Sequence, residues 1–248
     1  MNKHVTRMTI DDAAHFSPAQ RAAIVASYPT HERDARTKGI PSMGSGLVFP
    51  VGDEQIVCDP IAVPKHWYRI NGLDFGYDHP FAACSLAWDK DADIIYVAAA
   101  YREKHATPVL HAAAIKPWGE WIPCAWPHDG LQHDKGSGEG LAAQYAAQGL
   151  NMLPQRATFE DGGSGVEAGV IEMLDRMNTG RLKIFRHLGD WLAERRFYHR
   201  KDGRIVKQRD DLISATRYAL MMKRFAATEP VKRARVRPHV PPGGWMGA

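Results

Sequence analysis

Residues 68–101 read YRINGLDFGYDHPFAACSLAWDKDADIIYVAAAY. Three apolar runs, Tyr68 to Phe75, Phe81 to Trp88 and Ile94 to Tyr101, are parted by the short polar stretches Gly76 to Pro80 and Asp89 to Asp93. Strand-forming runs broken by such turns predict an antiparallel meander of three strands. Downstream the text alternates. A helix is expected from Pro108 to about Lys116, a short strand from Pro123 to Trp126, a helix from Gly138 to Gly149 and a minor strand from Asn151 to Leu153. A helix from Glu167 to Met177, a strand from Leu182 to Phe185 and a helix from Leu188 to about Phe197 follow. Residues Tyr198 to Lys207 alternate on either side of Lys201-Asp202-Gly203, which predicts a β-hairpin, and the last helix runs from Asp210 or Asp211 to about Phe225. Three antiparallel strands and then helix-separated strands describe an α/β fold with a mixed central sheet flanked by helices. In that topology the first and fourth strands are neighbours.

On the N-terminal side, Ser17 is a natural cap for a helix from Pro18 to Ala26, and a charged run spans His31 to Lys38. Gly39 to Pro64 is punctuated by glycine and proline and reads as an extended connector, which sets the start of the main domain near Trp67. On the C-terminal side, Lys232, Arg233, Arg235 and Arg237 face only Glu229 and precede Pro241-Pro242-Gly243-Gly244, the composition of a basic, disordered tail. The expected organisation is a connector at 1–66, one folded domain at 67–227 and a tail at 228–248.

With 44% hydrophobic and 24% charged residues in 248, the chain is neither globally disordered nor fibrous. Its longest apolar runs, near Ile94 to Tyr101 and Leu141 to Ala147, fall far short of the roughly 20 residues of a membrane helix. No apolar core of a secretory leader follows Met1-Asn2-Lys3-His4. Cys58, Cys84 and Cys124 are odd in number and lack zinc-ligand spacing, which suits reduced thiols. A net charge of +4 permits nucleic-acid binding without requiring it.

The chemistry lies in the acids. Asp74 ends an otherwise apolar run, where an unpartnered carboxylate is costly to desolvate. Asp129 follows the fourth strand, and Asp210 and Asp211 open the final helix. Adjacent first and fourth strands bring Asp74 and Asp129 to one sheet edge, with the helix start facing them. Converging carboxylates repel unless a divalent cation neutralises them. An all-oxygen set suits Mg²⁺ or Mn²⁺, and two such ions about 4 Å apart can drive phosphodiester hydrolysis. Each acid also has a plain structural reading: a helix cap at Asp210 or Asp211, a turn at Asp129, a hydrogen-bonded carboxyl at Asp74.

Three blocks carry a family resemblance: Gly72-Leu73-Asp74-Phe75-Gly76, Trp126-Pro127-His128-Asp129-Gly130, and Asp210-Asp211-Leu212-Ile213-Ser214-Ala215-Thr216-Arg217-Tyr218-Ala219. In order and character they resemble the nuclease domain of the terminase large subunit of tailed bacteriophages, and the similarity extends from Thr6 to Ala226. The resemblance implies a ribonuclease H-like fold and cutting of concatemeric viral DNA during genome packaging in the host cell cytoplasm. It implies two metal ions on Asp74, Asp129 and the Asp210/Asp211 pair. It also implies duplex viral DNA, a small terminase subunit and a portal protein as partners. Two departures stand out. Many relatives carry Asp-Ala where this chain has Ser214-Ala215, and no Gly-x-x-x-x-Gly-Lys-[Ser/Thr] phosphate loop occurs, so the packaging ATPase domain of such proteins is absent from the chain. Arg36 to Gly46 looks like the segment that follows that ATPase, and the chain reads as a C-terminal fragment.

Other candidates are weaker. Gly136 to Gly140, with Lys135, could contact a phosphate backbone or merely precede a helix. His128 and His133 lack a third zinc ligand at ordinary spacing, although His128 could orient a metal-bound water. Ser164 and Glu167 have capping-box spacing. Arg200, Lys201, Arg204 and Lys207 give the hairpin a basic face that could hold DNA or simply be solvated. Arg217 and Tyr218 are expected to pack or hydrogen-bond behind the site. Two rival functions share these features: a Holliday-junction resolvase-like nuclease, and a non-catalytic module docking a packaging motor.

Overall fold

A computed structural model describes residues 8–29, 32–39, 46–132 and 140–231. The order of elements begins with α1 (Pro18–Ser27), α2 (Arg33–Lys38), α3 (Asp53–Ile56) and β1 (Val57–Cys58). The meander follows as β2 (Tyr68–Asp74), β3 (Phe81–Asp89) and β4 (Ile94–Glu103). Then come α4 (Pro108–Ile115), β5 (Cys124–Ala125), α5 (Leu141–Ala147), α6 (Val166–Asn178), β6 (Leu182–Phe185) and α7 (Gly189–Phe197). A hairpin of β7 (Arg200–Lys201) and β8 (Arg204–Ile205) leads to α8 (Asp211–Met221).

One six-stranded sheet has the order β1-β6-β4-β3-β2-β5. Pairs β2–β3 and β3–β4 are antiparallel, and β1–β6, β4–β6 and β2–β5 are parallel. The mixed sheet and the adjacency of the first and fourth expected strands are therefore as read from the sequence. The separate hairpin turns on Asp202 and Gly203, both with positive φ (51° and 76°), the combination a tight two-residue hairpin turn requires. The expected strand at Asn151–Leu153 is reduced to a single bridge between Cys124 and Met152.

Alternation along β2 sorts the two faces. Ile70 joins the core beneath α6, α7 and α8, whereas Leu73 joins Phe81, Ile115 and Tyr145 beneath α4 and α5. With a period of two, Gly72 and Asp74 share the α8 face with Ile70. A Cβ on Gly72 would lie 1.9 Å from the carbonyl oxygen of Ala215, so the bare glycine lets α8 lie directly on the strand. Arg69 pairs with Ala227 beyond the end of α8, and α8 therefore runs antiparallel to β2, its N-terminus beside Asp74.

The connector expected ahead of Trp67 is different in the structure. Val48, Phe49, Val51 and Ile56 are buried in the main core, and β1 pairs with β6, Val57 opposite Ile184. Leu47 bridges to His199, and the N–H of Val48 donates to the carbonyl of Tyr198 at 3.0 Å. Asp53 pairs with Arg195 and Arg196 of α7. The expected boundary near Trp67 thus falls inside the folded unit. Short apolar pieces between glycines and prolines lack periodicity, yet each buried side chain still contributes about 1.5–3 kcal/mol.

Two smaller corrections concern helices. The capping box at Ser164 does not form: α6 begins after Gly165 with no side-chain cap, and Glu167 binds Arg200 instead, at 2.8 and 2.5 Å. Ser17 does cap α1, accepting from the N–H of Gln20. Of the tail expected at 228–248, residues 228–231 are described, with Glu229 paired to Lys65 at 3.1 Å, and the remainder lies outside the described residues. Among the described residues, no helix is long and apolar enough to cross a membrane.

Candidate active site

Each acid of the sequence-derived set stands where an element ends. Asp74 closes β2 opposite Ala82 of β3. Asp129 lies in a short 3-10 turn, His128–Leu131, that follows β5, and β5 lies parallel to β2 with Gly72 opposite Ala125. The turn is seated by Gly130, whose missing side chain makes room for the rings of Trp126 and Phe75, 2.4 and 2.9 Å from where a Cβ would be. That close fit explains why a glycine follows Asp129 and packs against aromatic rings. Asp210 occupies the cap position of α8 and Asp211 its first turn.

The other three carboxylates all act on Asp74. Asp74 is held well above the usual carboxylate range, first by burial, then by the charges of Asp211 and Asp210, with Asp129 adding to them and only Arg217 opposing. Burial and the neighbouring Asp211 likewise raise Asp210, and burial raises Asp211. A partly buried carboxylate facing like charges requires a cation or a proton. The donor set, all carboxylate oxygen, has the chemistry of a hard divalent-cation site. Among the described residues, however, no three such side chains stand close enough to enclose an ion. The group fits a metal in the chemistry of its donors.

The structural reading of Asp210 and Asp211 as caps is excluded by geometry: no cap bond is made by the residue at that position. The N–H groups of Leu212 and Ile213 donate instead to Oε2 of Glu194, at 2.8 and 3.3 Å. Sequence reading did not single out Glu194, nor Arg102, which pairs with it at 2.5 Å. A signal was present: Glu194 lies one turn after the fully buried Trp191 and beside the buried Arg195, a carboxylate on the inward face of its helix.

Asp210 and Asp211 line a cleft of about 1130 Å³ whose other walls include His79, Arg102, Lys104, His199, Lys207 and Arg209. Arg102, His79 and Lys104 act on Asp211, and Lys207 acts on Asp210, each favouring the charged carboxylate. The lining is mixed, with Glu103, Asp190 and Glu194 beside those basic groups, and Asp74 and Asp129 are not part of it; lysines next to carboxylates that hold cations suit a phosphodiester. Of the hairpin residues expected to contact DNA, only Lys207 reaches this cleft. Arg200 is occupied by Glu167, and Lys201 and Arg204 are exposed on the hairpin. Lys135, His133 and the stretch 136–139 lie outside the described residues. His128 is exposed beside Asp129. Arg217 is buried, its guanidinium 4.3 Å over the ring of Tyr218, and its charge opposes the upward shifts of Asp74 and Asp210.

Comparison with known proteins gives a consistent result. Residues 71–223 match the family model of the terminase RNaseH-like domain. The chain is 50% identical over 226 residues to the terminase large subunit of Salmonella phage P22, covering 91% of this chain and 45% of that protein. It therefore spans about half the length of the curated relatives it matches. Its fold resembles the nuclease domain of the P22 large terminase, with a TM-score of 0.71 at 48% identity over 76% of this chain and 97% of that one. At 20% identity it shares a fold with the large terminase nuclease domain of bacteriophage SPP1, solved with bound Mn, with a TM-score of 0.51 over 67% of this chain and 95% of that one.

Proposed function

The chain belongs to the terminase RNaseH-like domain family, and from that premise we propose that it is a metal-dependent DNA endonuclease that cuts concatemeric viral DNA during genome packaging. The observation that carries this reading is the placement of four acids at one end of the sheet: Asp74 at the end of β2, Asp129 in the turn after β5, and Asp210 and Asp211 at the start of α8, the last three all acting on Asp74. Two divalent ions, Mg²⁺ or Mn²⁺, would supply a water nucleophile at neutral pH and stabilise the leaving oxygen. The chain's own residues do the rest. Asp74 and Asp129, from neighbouring strands, and Asp210 and Asp211, from the helix start, would hold the ions. Lys104 and Lys207 on the walls of the cleft would hold the phosphate backbone of duplex DNA, a contact blind to base identity.

Domain organisation follows the same reading: a ribonuclease H-like nuclease, preceded in the longer protein by a packaging ATPase and regulated by a small subunit and the portal, at work in the host cell cytoplasm. The SPP1 domain, solved with bound Mn, supports divalent metal use by this fold.

The test is conversion of supercoiled plasmid to nicked and linear forms by wild-type chain and Asp129→Asn, with Mg²⁺, Mn²⁺ or chelator. Metal-dependent cutting that falls at least about 100-fold in the variant is expected, within the range for loss of a group that stabilises the transition state. Raising salt from 50 to 200 mM should weaken DNA binding by roughly 3- to 4-fold for each phosphate contact made. Faster cutting of branched than of linear duplex would favour the resolvase-like reading. No cutting by folded protein with either metal would favour the docking module.

A further inference from the structure

The final helix is capped from outside. Asp210, at the cap position, makes no side-chain bond to the helix. Oε2 of Glu194 on α7 takes the N–H groups of Leu212 and Ile213, while its Oε1 is paired with Arg102 from the end of β4. The Glu194 side chain is only 2% exposed. Arg195 and Arg196, the next two residues of α7, clamp Asp53 on the other side, so α7 is held between the N-terminal segment and the start of α8. A helix N-terminus usually recruits an Asp, Asn, Ser or Thr at the cap position itself. Here that position holds an Asp, and the chain uses a distant, buried glutamate instead. Burying Glu194 is costly: burial pushes its carboxyl up to about 7 despite Arg102 and the two N–H donors. A buried ion pair of this kind is weak evidence for stability, which directs attention to what it positions.

We propose that Glu194, held by Arg102, is a positioning residue of the acidic site: by capping α8 from α7 it fixes the backbone from which Asp210 and Asp211 project and leaves both carboxylates available to a divalent cation. The inference rests on the reading of those carboxylates as metal-holding. Residues that support metal ligands in this indirect way commonly change metal affinity by about 10- to 100-fold when replaced.

The experiment is titration of Mn²⁺ into the full chain, followed by loss of the free-ion electron paramagnetic resonance signal, for wild type, Glu194→Gln and Glu194→Ala. Glu194→Gln preserves shape and removes a buried charge, so it folds, but its amide cannot serve both Arg102 and the two backbone N–H groups. A role confined to stability predicts unchanged Mn²⁺ affinity for this variant. Positioning predicts half-saturation weakened at least about threefold, toward the roughly tenfold lower end of the usual range, and further in Glu194→Ala. The number of ions at saturation should be unchanged. Amide hydrogen exchange at Leu212 and Ile213 should quicken in the metal-free variants. A shift below about threefold in Glu194→Gln overturns the proposal, whatever Glu194→Ala does. Wild-type protein that takes up no Mn²⁺ would instead overturn the metal-site reading, so the two failures are distinguishable.

Discussion

Asp74 concentrates the conflict between stability and function. It ends a strand whose neighbouring residues are buried, and it faces three other carboxylates with Arg217 as the single opposing charge. Without a cation, that arrangement destabilises the fold, because a desolvated like-charge group raises the free energy of the ionised protein. Asp74→Asn keeps the shape and removes the charge. Its metal-free form should therefore melt higher than wild type, by the order of 2–4 °C for a domain of this size, while metal-dependent cutting is lost. A lower midpoint in differential scanning calorimetry would show that Asp74 is instead a hydrogen-bonded structural acid.

At the scale of elements, the site depends on how closely α8 lies on β2. Gly72 is the contact point, and its face of the strand also carries Asp74 two residues on. Gly72→Ala would drive a methyl group into the Ala215 carbonyl, 1.9 Å away. Neither the central strand nor the buried helix backbone can yield cheaply, so the expected loss is roughly 3 kcal/mol, the upper range for overpacking. Urea denaturation measures it, and a change below about 0.5 kcal/mol, the scale of a surface substitution, would contradict the close approach. The motif glycine is thus explained by packing, and it sets the placement of the helix that bears Asp210 and Asp211.

At the scale of the molecule, the folded unit begins well before the meander. Phe49 and Ile56 are fully buried, β1 closes one edge of the sheet, and Asp53 holds α7. Helix α1, by contrast, buries none of its residues. A fragment starting at residue 67 loses four or more core side chains at about 1.5–3 kcal/mol each, against a usual total stability of 5–15 kcal/mol. It should not melt cooperatively by circular dichroism, whereas a fragment starting at residue 39 should. A cooperative transition in the shorter fragment would restore Trp67 as the boundary.

The sequence by itself determined the meander, most of the alternating elements after it and the hairpin, and it singled out the four acids, because those depend on local signals: period-two and helical patterning, Asp-Gly turn chemistry and carboxylates placed against apolar runs. It misplaced the domain's start, since residues 47–58 are bound by contacts with α7 and β6 more than a hundred positions away, and no local pattern announces them. It left open whether Asp210 and Asp211 were caps. Only the tertiary structure decided that, by bringing Glu194 and Arg102 from two other elements to the helix start. Local composition can say that a carboxylate needs a partner; which partner reaches it is settled by packing, where the cost of desolvation is actually met.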